Sequence, residues 1–439
     1  MTPVDLLVWP RWIVPVVPRG VVLDGHGLAV RDGEIVALVA ADGLTRFDPA
    51  REVHLPNHVL LPGLVNAHTH VAMNLMRGVG DDLALLPWLE ERIWPIEGRF
   101  VDPEFVADGT DHALAEMIRG GVTTANDMYF FPDVTIDRAR AAGFRMIAGC
   151  PVIEFPTAWA DTPTAYIERA HAVLGDVVGD PLVGATISPH APYTVSDESL
   201  LAARRLADRF NVRIDIHLHE TKGEVERAVE ESGVRPFERI RRLGIMDERL
   251  LAVHMTDLTA GEIGQCAESG ITTIHCPESN LKLGSGICRV PELLEAGVNV
   301  ALGTDGAASN NDLDMIGEMR TAALIAKGRT LDPTVLPAPT ALELATINGA
   351  RALGLEDRVG SLEPGKRADL VAIDLGVLEA QPIFDVVSHL VYATGRHQVT
   401  DVWIDGRRVL VDRSLVTLDE ATVCDRARSW HDRIMEALT

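Results

Sequence analysis

From residue 62 to about residue 355, short apolar runs alternate with stretches whose apolar positions recur at helical spacing. The apolar runs are LLPGLVNAH, VTTANDM, FRMIAGCPV, VGATISPH, VRIDIHLH, LLAVHM, TTIHCP and VNVALGTD. Amphipathic stretches such as ADGTDHALAEMIRGG, SDESLLAARRLADRF, GEVERAVEESG and PELLEAG lie between them. Eight strands with intervening helices predict an α/β architecture, a closed parallel (β/α)₈ TIM barrel. Residues 1–61 read differently: VDLLVWPRWIVPVV and GLAVRDGEIVALVA are strand-rich and split by Gly and Asp turns. Over 356–412 strands return without helices between them, in GSLEPGKRADLVAIDL and VTDVWIDGRRVLVD. The two ends are expected to pair into one small β domain. Residues 413–439 are expected to close the chain with an amphipathic helix, DEATVCDRARSWHDRIMEAL, from Asp419 onward.

Composition narrows the function. The 439 residues are 47% hydrophobic, enough for a large core. The formal charge of −24 repels phosphate backbones and anionic lipid, so neither nucleic acid nor membrane is an expected partner. The five cysteines are odd in number, scattered and without a CxxC pair, which argues against a disulfide framework and a thiolate metal cage. The apolar run Trp12 to Val22 is broken by Pro15, Pro18, Arg19 and Gly20 and is too short to span a bilayer. A cytoplasmic enzyme acting on a small molecule is expected; a homo-oligomer is compatible with this reading.

The polar residues gather where the apolar runs end. His68 and His70 close the first run, and residues i and i+2 of a strand share a face, so both imidazoles can meet one ion. Alone, such a pair is weak evidence. His217, His219 and Glu220 close the fifth run, His254 the sixth, and Asp305, in GTDGAASNN, the eighth. Singly, each has an ordinary explanation as a helix cap or a turn residue. Together they end strands one, five, six and eight, and strands one and eight become neighbours on closure. The four ends then form one arc at the barrel mouth, where such folds build active sites. Nitrogen and oxygen donors without thiolate suit Zn²⁺, and also Fe²⁺ or Mn²⁺. An ion so held lowers the pKa of a bound water toward neutrality, and a nearby carboxylate such as Glu220 can move protons to a leaving group.

The motifs NAHTH, SPHAPYT, HLHET, AVHM and GTDGAASNN resemble the amidohydrolase superfamily over nearly the whole chain, in its mononuclear deaminase and chlorohydrolase branch. Within that branch SPHAPYT, HLHETKGEVE, HCPESNLKLGSG and GTDGAASNNDLDM, with Glu97 in WPIEGR, are most similar to the 5′-methylthioadenosine/S-adenosylhomocysteine deaminases. The resemblance implies a barrel with a β-sandwich built from both chain ends. It implies His68, His70, His217 and Asp305 as metal ligands, His254 as partner of the bound water, and Glu220 as proton shuttle. It turns His190 toward the substrate and gives Glu97 the ribose 2′- and 3′-hydroxyls, which suits a carboxylate because its two oxygens take two donors. On the residues alone the competing reading of Glu97 is a solvated helix residue. Trp88 is read as packing on the 5′ substituent or as a buried interdomain tryptophan, and His219 and His275 as supporting or packing residues.

Binuclear members of the superfamily bridge two metals with a carboxylated lysine at the fourth strand; VGATISPH offers none, so one divalent metal per chain is expected. One departure stands out. Some members hold the homocysteine carboxylate with arginines after the third strand, and here CPVIEFPTAWADTPTAYIE has none before Arg169. The expected reaction is hydrolytic deamination of a 6-aminopurine nucleoside, 5′-methylthioadenosine first, with S-adenosylhomocysteine and adenosine within range. The alternatives are a free base such as guanine or an s-triazine as substrate, and a non-catalytic paralogue, which would typically have lost ligands.

Overall fold

Eight parallel strands pair in chain order: β1 (Leu64–Thr69), β2 (Val122–Met128), β3 (Arg145–Val152), β4 (Val183–Pro189), β5 (Ile214–Leu218), β6 (Leu250–His254), β7 (Thr272–His275) and β8 (Asn299–Leu302). In this computed structural model, which describes residues 1–438, a parallel bridge between Thr69 and Asp305 joins the end of β1 to the segment leaving β8. The strands are buried along almost their whole length, so they read as continuous apolar runs rather than alternating ones. The helices between them start on local signals. Ser196, Thr221 and Thr259 each accept a hydrogen bond from the backbone N–H three residues on, and Pro132, Pro163 and Pro236 occupy first turns, where the missing N–H is no loss.

The chain divides into two compact units. One comprises residues 1–66, 115–124 and 314–419; the other comprises 67–114, 125–313 and the chain from residue 420. The first unit carries a nine-stranded sheet drawn from both chain ends. Its central strand Glu52–Pro62 pairs parallel with Leu6–Ile13 and antiparallel with Leu370–Asp374. Val8, Ile13, Leu28, Leu60, Leu370 and Trp403 form its core. The second unit holds the mouth of the barrel and the terminal helix Glu420–Leu438, whose buried Trp430 packs edge-on against Phe105 and donates Nε1–H to Asp108 at 3.0 Å. Thr439, the last residue of the predicted helix, lies outside the described residues.

Two expectations need correction. LLPGLVNAH is not one strand: Glu52–Pro62 belongs to the nine-stranded sheet, and β1 begins only at Leu64. The break falls at Gly63, where a Cβ would lie 2.0 Å from Thr123 Oγ1, so only glycine lets the chain pass from one sheet to the other. The C-terminal strands are also not free of helices. Val386–Tyr392 is helical between Leu370–Asp374 and Val399–Ile404, capped by Asp385 through the Ser388 N–H. Its seven residues are too few for periodicity to distinguish them from a strand.

Candidate metal centre and substrate cavity

The strand ends deliver their polar side chains to one place. His68, His70, His217 and Asp305 each offer a ligand atom, and these atoms all lie within 4.8 Å of one another. His68 Nε2 and His217 Nε2 are 3.1 Å apart; Asp305 Oδ1 is 3.0 Å from His70 Nε2 and 3.5 Å from His68 Nε2. Ligand bonds of about 2.0–2.1 Å set tetrahedrally would hold their atoms roughly 3.3 Å apart. The donor chemistry agrees with the spacing. His70 Nδ1 donates to the Met128 carbonyl at 2.5 Å, which turns Nε2 toward the cluster; burial disfavours the charged ring, but the Asp305 carboxylate beside Nε2 raises its pKa to about 9, so an ion bound there displaces that proton. Burial holds the proton affinity of His68 down, to a pKa of about 4, and that of His217 well below the usual imidazole value. Two buried ring nitrogens so close, both poor bases, turn lone pairs toward one point, and a cation there satisfies both. The residues therefore fit a single divalent ion. No lysine lies on β4, and this is the one such group of ligands among the described residues.

Asp305 is held hard. Its backbone is left-handed, with φ of 61°, and its N–H donates to the His68 carbonyl at 3.0 Å. Its carbonyl accepts from the hydroxyls of Thr69 and Thr304. Oδ2 accepts from Ser279 Oγ at 2.7 Å and Ser309 Oγ at 2.8 Å, so Oδ1 is left for the cluster. Burial opposes ionisation, but the His68 and His70 rings beside it outweigh that and keep the carboxylate well below its usual range. Gly303 permits the approach, since a Cβ there would meet the His68 backbone at 2.8 Å. His254, also left-handed at φ of 76°, is 1% exposed and pairs Nδ1 with Asn280 Oδ1 at 2.9 Å. Left-handed backbone at non-glycine residues costs on the order of 1–3 kcal/mol and collects at functional sites.

Above the cluster opens a cavity of about 440 Å³. Glu220, Glu97, His190, Trp88 and His254 all line it, with Met73, Ile153, Phe155 and Tyr193 among the apolar and aromatic walls. Its lining contains no lysine or arginine among the described residues. Glu220 Oε1 is 3.9 Å from His254 Nε2. Burial first, then the nearby Asp305 charge, pushes the Glu220 carboxyl up to about 8, within reach of proton transfer near neutral pH. His190 Nδ1 pairs with Thr194 Oγ1 at 2.9 Å, and burial lowers its pKa to about 4. Glu97 lies on the helix Trp94–Phe100 and accepts from the Tyr129 hydroxyl at 2.7 Å. Trp88 is 4% exposed and donates Nε1–H to the Val79 carbonyl at 3.1 Å.

The two remaining histidines separate. His219 sits outside the cluster, with Nδ1 on the Asp257 carbonyl at 2.9 Å and Nε2 accepting the Phe237 N–H at 3.0 Å; it ties the loop after β6 to the first turn of the helix Pro236–Arg242. His275 is buried at the end of β7, with burial lowering its pKa to about 3. Sequence reasoning gave no part to Tyr129, Ser279, Asn280 and Ser309. HCPESN and GAASNN contain three of them, and Tyr129 directly follows β2, where a strand-end search would have stopped.

Comparison with known proteins agrees with this geometry. The model of the amidohydrolase family matches residues 59–409. A 5-methylthioadenosine/S-adenosylhomocysteine deaminase of Saccharophagus degradans is 45% identical over 434 residues, covering 99% of this chain and 97% of that protein. A protein of the same name from Thermodesulfovibrio yellowstonii is 40% identical, covering 98% of each. A solved adenosine deaminase from Xanthomonas campestris, with bound zinc, is 52% identical and superposes with a TM-score of 0.98 over 99% of both chains. An atrazine chlorohydrolase from Arthrobacter aurescens shares the fold alone, at 22% identity and a TM-score of 0.88 over 97% of this chain and 99% of that one. The chain belongs to the amidohydrolase family and, within it, to the group of 5-methylthioadenosine/S-adenosylhomocysteine deaminases.

Proposed function

We propose that the protein is a zinc-dependent aminohydrolase that removes the 6-amino group of a purine nucleoside, with 5′-methylthioadenosine preferred over S-adenosylhomocysteine. The observation that carries this reading is the coincidence in one cavity of the four-donor cluster, the buried Glu220 and the carboxylate of Glu97. When bound, the ion lowers the pKa of water and stabilises negative charge on oxygen. Water oxygen bonds to C6 and the C6–N6 bond breaks. In this reading Asp305 and His254 hold the proton of the attacking water. Glu220 relays the two protons of that water, taking each from the oxygen side where Asp305 and His254 hold it and passing one to N1 and one to the departing amino group, which leaves as ammonia. His190 faces the purine, and Glu97 accepts from the ribose 2′- and 3′-hydroxyls.

The relatives named for this activity support the reading at 40–45% identity over nearly full length. The cavity favours a small apolar 5′ group, because its walls carry Ile153, Phe155 and Pro156 and no cation for a carboxylate among the described residues. Glu97 disfavours a free base or a triazine, which have no diol to offer it. The test is ammonia release from adenosine, 5′-methylthioadenosine, S-adenosylhomocysteine, adenine, guanine and cytosine, alongside metal analysis. Methylthioadenosine turnover with one zinc per chain is expected. Turnover of a free base alone, two metals per chain, or full activity after complete metal removal would overturn the reading.

A further inference from the structure

We infer that Tyr129 is the positioning residue of the ribose site: its hydroxyl holds Glu97 in place as the reader of the 2′,3′-diol. This rests on the reading of Glu97 given above. Three observations carry it. The Tyr129 hydroxyl lies 2.7 Å from Glu97 Oε1, and against a carboxylate acceptor the phenol must be the donor. Both residues line the same cavity, and no lysine or arginine shares that lining among the described residues, so the phenol stands where an ion-pair partner would otherwise be needed. Tyr129 is 5% exposed and continues directly from β2, whose last residue, Met128, accepts the hydrogen bond from His70 Nδ1.

That third observation gives the arrangement a geometric consequence. One rigid strand end sets both the orientation of a metal ligand and the position of the group that holds Glu97. The orientation of the metal ligand and the placing of Glu97 are therefore set by adjacent residues, 128 and 129. Glu97 itself comes from the seven-residue helix Trp94–Phe100, outside the strands of the barrel. A carboxyl group bonded to a donor at a strand end is better placed than one on a short helix alone. Each carboxylate oxygen has a second lone pair, so the phenol occupies one acceptor position and leaves the others for the sugar.

Tyr129→Phe isolates the hydroxyl, since the ring keeps its packing against Phe130. The readout is the ratio of kcat/KM for 5′-methylthioadenosine to that for its 2′,3′-dideoxy analogue, measured on the zinc-loaded enzyme. In the parent this ratio should be large. In Tyr129→Phe it should fall about tenfold, through KM for the nucleoside, with kcat within threefold of the parent and zinc content unchanged. In Glu97→Ala it should fall close to one, and adding Tyr129→Phe to Glu97→Ala should change it no further. If Glu97→Ala collapses the ratio and Tyr129→Phe leaves it within twofold of the parent, the inference about Tyr129 is wrong while the ribose reading stands. If Glu97→Ala itself leaves the ratio intact, the ribose reading fails and the inference fails with it.

Discussion

Glu220→Gln should separate chemistry from binding at this site. The substitution keeps the volume of a side chain that is 6% exposed. It also leaves the anchoring of the segment alone, because the bond to Glu224 Oε2, at 2.8 Å, is made by the Glu220 backbone N–H. Glu220 is not one of the four clustered donors, so the ion should stay. A glutamine can neither give nor take a proton, and a positioned acid–base group contributes about 10²–10⁴-fold to rate. A fall in kcat of about a thousandfold, equivalent to about 4 kcal/mol in the activation free energy of the reaction, is the central expectation. Stability supplies an independent check. Burial lifts the folded-state carboxyl to about 8, against about 4.3 in an unfolded chain. In metal-free protein the parent therefore carries no penalty from this group below about pH 4.3, one that grows as pH rises from there to about 8, and a constant one above. The variant carries none, so its melting temperature relative to the parent should rise between pH 5 and pH 8.5. Ammonia release, zinc content and thermal melts of chelated samples at several pH values measure all three quantities. A kcat within fivefold of the parent refutes the shuttle role, and a dead variant that has lost its zinc refutes the separation of roles.

Ser279→Ala removes one of the two hydroxyls on Asp305 Oδ2, and partners that orient a metal ligand are worth about 10–100-fold in affinity. Competition with a chelator should show zinc held about tenfold more weakly; unchanged affinity would mean that Ser309 alone suffices. For substrates, an unpaired carboxylate in a cavity lined like this one costs on the order of a few kcal/mol, about two decades in specificity. The kcat/KM for 5′-methylthioadenosine should exceed that for S-adenosylhomocysteine by about a hundredfold, and equality would require a cation from elsewhere. His219→Ala leaves the Phe237 N–H without its acceptor and should cost about 2 kcal/mol in urea unfolding at unchanged zinc content. An unaltered midpoint would show that water replaces the ring.

The metal ligands were legible in the sequence because each sits at a strand end, and strand ends can be found from short apolar runs. His68 and His70 declare their shared face by spacing alone, and Asp305 is marked by the glycines on either side of it, one of which the fold needs for contact with His68. The helix Val386–Tyr392 and the break at Gly63 were not legible for a related reason. Both are decided by what the chain packs against, and an apolar run carries no record of which sheet it will join. The groups that hold the ligands were hidden more deeply. Ser279 and Ser309 are 26 and 4 residues from the aspartate they serve, and a serine near the start of a helix is expected there as a cap whether or not it has a partner. Glu97 and Tyr129 lie 32 residues apart on elements with no common period. Their pairing exists only once the helix Trp94–Phe100 and the end of β2 are brought together. A ligand set can be inferred from strands taken one at a time; the charge, tautomer and aim of each ligand depend on a second residue elsewhere in the fold. Substrate choice within this family should therefore change most readily in such second residues, while the ligand motifs stay the same.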